Sequence, residues 1–153
     1  LSNLTGDYQT TIMHGVIQGI SDYTTLFVNI AKLANITTNN VIYTIENSVK
    51  SGKLNFNELS ISGKITQADV ENSAFKLSSS NIGISGVISG NLIQKSLNIE
   101  SVFDIRNLAP EPLVFMYNLK GFINNLSGEV DTSTILSKIN TVYLQRKKKE
   151  ILE

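Results

Sequence analysis

The sequence predicts a mainly β fold with helices, of the α+β class. It is expected to be a curved antiparallel meander with an amphipathic helix packed on or plugging its apolar face, plus a C-terminal helix. Three observations carry this. After about Glu58, apolar residues recur with period two through successive short runs. Polar connections of a few residues join those runs, as antiparallel neighbours require. Ahead of them, and again at the chain's end, the apolar spacing is helical.

The elements follow in order. Leu4, Tyr8 and Ile12 fall on even positions with polar residues between them, which is strand alternation. "HG" follows at His14-Gly15, then the β-type run "VIQGI". The two runs are expected to form a hairpin cornered at His14-Gly15, because glycine supplies the positive φ of a tight turn. In "SDYTTLFVNIAKLANI", Ser21 or Asp22 is a candidate N-cap. Tyr23, Leu26, Phe27, Ile30, Leu33 and Ala34 make one apolar helix face. A second helix is predicted from about Asn40 to Ser51, with Val41, Ile42, Ile45 and Val49 on one side and Gly52 as its stop.

The period then changes to two. Leu59, Ile61 and Ile65 share a face in "NELSISGKIT", and Phe75 and Leu77 do so in "SAFKLSSS". Ile82, Ile84 and Ile88 share one in "NIGISGVISG", as do Leu97, Ile99, Phe103 and Ile105 in "SLNIESVFDIR". Turns are expected near Asn72, near Ser80 and near Gln94. "APEP", Ala109 to Pro112, interrupts the ladder, since proline donates no backbone hydrogen bond. "LVFMYNLKG" is a further strand, with Leu113, Phe115, Tyr117 and Leu119 on one face and Val114 and Met116 on the other. A helix begins near Asp131, a candidate N-cap, with Ile135, Leu136, Ile139, Val142 and Tyr143 as its stripe.

Composition narrows the function. The 153 residues suffice for one domain with a core. Two parts are expected: residues 1–130 as a β domain that includes a helical segment about 22–51, and residues 131–153 as a helix with a basic tail. The chain starts with Leu1 inside strand-like alternation, so a fragment of a longer protein is expected. Thirteen basic and thirteen acidic residues cancel, which argues against a nucleic-acid partner. The one charge cluster, "RKKKE" from Arg146 to Glu150, reads as a solvated helix end, with contact to anionic lipid head groups as its sharper reading. Without cysteine there are no disulfides or thiolate metal sites. No apolar run reaches the roughly 18 residues of a membrane span.

Catalytic chemistry is not expected. Glu58, Asp69, Glu71, Asp104 and Glu129 are scattered without recurring pairing. The single histidine, His14, has no partner evident in the sequence and reads as a turn residue. "GISGVISG" is glycine-spaced but lies within strand alternation and opens no helix, so it is no phosphate loop. No metal and no cofactor is expected. What remains is a one-sided apolar sheet. Its face either packs against the helix beginning near Asp22 as an ordinary core, or stays partly open as a groove for an apolar ligand. Periodicity does not separate the two.

The order of elements resembles the C-terminal region of the AsmA-like envelope proteins, the group that includes TamB and related bridge-like lipid transporters. Members tend to show "L-x-G", a "dG-x-i-x-G-x-d" hairpin, a leucine-rich helix, "T-x-F-x-x-L" opening a strand, and then a glycine-marked β pattern. The matching residues are Leu4 and Gly6, then Gly15, Ile17, Gly19 and Asp22, then Phe56 and Leu59, and finally Leu77, Ser79, Gly86 and Gly90. The chain departs from the pattern at His14, Leu54 and Asn55, and at Leu92 or Ile93. The resemblance spans about Leu4 to Asp131.

The resemblance implies a periplasmic protein of a Gram-negative cell, anchored in the inner membrane by a segment upstream of this chain. It implies a role in outer-membrane biogenesis: carrying phospholipid between the membranes along a hydrophobic β groove. The partners implied are phospholipid acyl chains, the inner membrane, and outer-membrane or other envelope proteins. The candidate lining is Leu59, Ile61, Ile65, Phe75, Leu77, Ile82, Ile84, Ile88, Leu97, Ile99, Phe103 and Ile105. The alternative is a scaffolding β domain of the envelope with a closed core.

Overall fold

The computed structural model describes residues 2–18, 52–106 and 112–152, together with 37, 39, 40, 42–44 and 47. Seven strands run in chain order across one antiparallel sheet: β1 (Gly6–Gln18), β2 (Lys53–Thr66), β3 (Asp69–Ser78), β4 (Ile82–Asn91), β5 (Ser96–Ile105), β6 (Leu113–Phe122) and β7 (Asn125–Val130). β1 and β7 are its outer strands and do not pair with each other, so the sheet is open. A helix over Thr132–Leu152 follows. The α+β meander expected from the spacing is the architecture found. Residues 39, 40, 42–44 and 47 are helical, within the second predicted helix. The amphipathic helix predicted after Asp22, and "APEP" apart from Pro112, lie outside the described residues.

Register builds the apolar face in rows. Leu59, Leu77, Ile84, Phe103 and Phe115 are successive cross-strand partners from β2 to β6. The next row runs Ile61, Phe75, Gly86, Ser101, Tyr117 and Val130. Beyond it lie Ile88, Ile99, Leu119 and Gly128. Because every connection is antiparallel and the side-chain period is two, one register choice places all these side chains on one face.

The predicted hairpin at His14-Gly15 is not formed. β1 pairs with β2 without a break in register from Gly6↔Ile65 to Gln18↔Lys53. His14 does take a left-handed conformation, with φ 55°. Instead of turning the chain back, it resets the side-chain alternation. On β2, Leu54 and Phe56 are buried at even positions, while Leu59 and Ile61 are half-buried at odd ones. The switch falls opposite His14, where the Met13↔Glu58 and Gly15↔Phe56 pairs flank it. Gly15 carries no Cβ because the Phe56 ring fills that space.

The turn expected near Asn72 sits earlier, at Gln67-Ala68, which joins β2 to β3. Both residues have positive φ, 50° and 70°, the conformation of a type I′ hairpin. Such a turn normally carries Asn or Gly, so composition gave no cue. Tertiary contacts hold it instead. Ala68 is fully buried, its N–H donates to the Leu4 carbonyl at 3.2 Å, and its carbonyl accepts from Leu92 N–H at 2.9 Å. Asn72 lies inside β3, at a bulge between Val70 and Ser73.

The C-terminal helix starts as expected. Asp131 Oδ1 accepts from the Ser133 N–H at 3.1 Å and from its hydroxyl at 2.6 Å, which satisfies one of the free N–H groups of the first turn. The Ser133 hydroxyl and N–H hold the Asp131 carboxyl below its ordinary pKa. Ile135 and Ile139 are buried one turn apart. They join Leu54, Phe56, Leu77, Ile82, Ile84, Phe103, Ile105, Leu113 and Phe115 in a single core. The side chains of Val142 and Tyr143 lie outside the described residues. β7 was not predicted: "NLSGEV" has only Leu126 and Val130 to mark it.

Candidate apolar binding site

The core lies at one end of the apolar face, where the C-terminal helix covers it. Phe103 and Phe115 stack there with ring centroids 5.2 Å apart, and Tyr117 meets Phe103 edge-on at 5.8 Å. Packing loosens along each strand from this end. On β4, Ile82 and Ile84 are buried and Ile88 is half-buried. On β5, Ile105, Phe103 and Ser101 are buried, while Ile99 and Leu97 are half-buried.

A cavity of about 230 Å³ opens over this transition. Its walls come from β1 to β6 and are apolar except for Ser101 and the phenol of Tyr117. Two small residues explain the hollow. Gly86 and Ser101 face each other across β4 and β5 in the middle of the floor. The Phe75 ring leans over Gly86, which a Cβ would block at 2.9 Å. The Ser101 hydroxyl donates to the Tyr117 carbonyl, so the one buried polar wall group is satisfied within the sheet.

Eight of the twelve sequence-predicted lining residues meet here: Leu59, Ile61, Phe75, Leu77, Ile84, Ile88, Ile99 and Phe103. Ile82 and Ile105 do not. They are 1% and 0% exposed, sealed in the core with Ile135. Ile65 and Leu97 are half-buried further along the face and do not line the cavity. Sequence reasoning missed Ile17, Ser101, Tyr117 and Leu119 as wall residues. Tyr117 and Leu119 carried a signal, since they share the odd-numbered face of β6. Ile17 carried none, because its placement depends on the reset at His14.

The rest of the surface is chemically plain. His14 is exposed, and its imidazole makes no hydrogen bond or ion pair among the described residues. No group of three or more His, Asp or Glu side chains able to hold a metal occurs among the described residues. A depression of about 730 Å³ between β6 and the C-terminal helix is lined by Leu113 and Val114 together with Ser133, Thr134, Ser137, Lys138 and Thr141, so polar and apolar groups share its wall. On the opposite face of the sheet, Glu100, Asn118, Lys120 and Glu129 border a polar cleft. No protein-family model, curated protein or solved structure matches the chain.

Proposed function

We propose that the chain is a lipid-carrying segment of an AsmA-like envelope protein, and that the cavity over Gly86 and Ser101 holds part of a phospholipid acyl chain. The observation that carries the reading is the cavity's near-complete apolar lining, drawn from six strands of one sheet face. An acyl chain of about 16 carbons costs on the order of 12 kcal/mol to hold in water, at roughly 0.8 kcal/mol per CH₂. An apolar wall offsets that cost with no catalytic group. The volume of about 230 Å³ exceeds the ~150 Å³ of a dry cavity that accepts benzene. It falls below the roughly 300 Å³ where complete small-molecule sites begin. It therefore suits a stretch of chain, the remainder lying further along the face over half-buried Ile65 and Leu97. Anchoring in the inner membrane and residence in the periplasm belong to the same reading and rest on the family resemblance.

A second reading has its own support. The end of the face covered by Ile135 and Ile139 is an ordinary packed core, as a scaffolding β domain would have. Native mass spectrometry of the chain produced in a Gram-negative host separates the two. The lipid reading expects co-purified phospholipid, lost when Ile88 and Ile99 are both changed to Glu while the β-sheet circular dichroism is retained. A chain free of lipid from the outset supports the scaffold.

A further inference from the structure

The C-terminal helix does two different things along its length. Its first turns are docked through Ile135 and Ile139. After Ile139, every residue of the helix whose side chain is described is exposed. Three of these are large and apolar: Leu144, Ile151 and Leu152, at 65%, 80% and 76% exposure. Leu144 and Ile151 are seven residues apart and so share one stripe of an α-helix. Lys147 and Lys148 stand three and four residues after Leu144, one on each side of that stripe. At about 100° per residue, the stripe faces away from Ile135 and Ile139. Lys149 extends the positive charge. Among the described residues the only carboxylate near these lysines is Glu150, 3.9 Å from Lys147.

We propose that the last turns of this helix, Leu144 to Leu152, dock the protein on an anionic phospholipid bilayer. Leu144 and Ile151 would enter the boundary between head groups and acyl chains. Lys147 and Lys148, flanking them, would reach back to the phosphates. Charge complementarity selects an anionic surface, and the apolar stripe between the lysines selects a membrane over a nucleic acid, whose phosphate backbone has no use for it. The rest of the chain adds no positive field: residues 1–143 carry nine basic and eleven acidic residues. None of these residues lines the cavity, so the proposal stands or falls apart from the acyl-chain reading.

Co-sedimentation of the full 153-residue chain with extruded vesicles tests it. Binding is expected to phosphatidylcholine vesicles carrying about a third phosphatidylglycerol, to weaken with added salt, and to be lost on pure phosphatidylcholine. Replacing Lys147, Lys148 and Lys149 together by Gln is expected to reduce that binding on the order of a hundredfold, at about fivefold per lysine near an anionic surface. Leu144→Ser with Ile151→Ser is expected to weaken it as well, with the thermal melt unchanged because both side chains are exposed. Equal binding to both vesicle types, or unchanged binding by either variant, overturns the proposal. So does binding that survives the serine changes but is displaced by duplex DNA, which would mark a general polyanion site.

Discussion

At the scale of the residue, His14 is the most informative position in β1, for its backbone and not its imidazole. A left-handed conformation costs a non-glycine L-residue about 1–2 kcal/mol, and His14 takes one at φ 55° in the middle of a paired strand. The return is geometric. The reset lets Ile17 reach the same cavity as Leu59 and Ile61. If the imidazole has no other role, His14→Gly should raise stability by about 1 kcal/mol, less the extra chain entropy of glycine. His14→Val should lower it by a similar amount. Urea denaturation measures both. A valine variant as stable as the parent would show that the left-handed conformation is not held in solution. The sequence placed the positive φ of "HG" on Gly15, whereas His14 carries it, and the expected hairpin does not follow. A positive φ closes a hairpin only when the flanking runs pair with each other, and here both pair with β2.

At the scale of the element, the C-terminal helix begins at a cap legible in the sequence and ends on a stripe that is not part of the core. Asp131 makes the pH behaviour of its first turn predictable. Its carboxyl titrates below the ordinary 3.8 because the Ser133 hydroxyl and N–H, and then the Thr134 groups, bond to the ionised form. A lowered folded pKa contributes stability above the unfolded value, and the contribution is lost as pH falls through the folded one. Asp131→Ala should therefore lower the urea midpoint at neutral pH, and the gap from the parent should narrow as pH is taken below about 3.8. A gap that stays constant down to acid pH would mean the ionised cap contributes nothing. The strands were legible to different degrees for physical reasons. β4 and β5 alternate cleanly because they are central, with one face apolar. β7 is short, outermost and nearly all polar, so alternation has little to act on. The Gln67-Ala68 turn escaped notice because contacts with Leu4, Thr5 and Leu92, distant in sequence, hold its conformation.

At the scale of the whole molecule, period-two spacing was enough to predict an antiparallel meander with one apolar face. It could not divide that face between core and cavity. The division comes from where the C-terminal helix lands and from two small residues, Gly86 and Ser101, meeting across β4 and β5. Ile82 and Ile99 show the point. Both fit the same alternation, yet Ile82 is sealed beside Ile105 and Ile99 lines the hollow. The opposite face supplies an internal control. Val114 and Met116 on β6 are apolar and about half exposed, at 48% and 49%, but neither lines the apolar cavity; Val114 borders instead the mixed polar and apolar depression beside the C-terminal helix. The most direct measurement places a photo-reactive benzophenone side chain at position 99 in one variant and at position 114 in another. Each is irradiated in a Gram-negative host, and phospholipid adducts are read by mass spectrometry. The account predicts adducts from position 99 and none from position 114. No adduct at 99, or equal adducts at both, would contradict it.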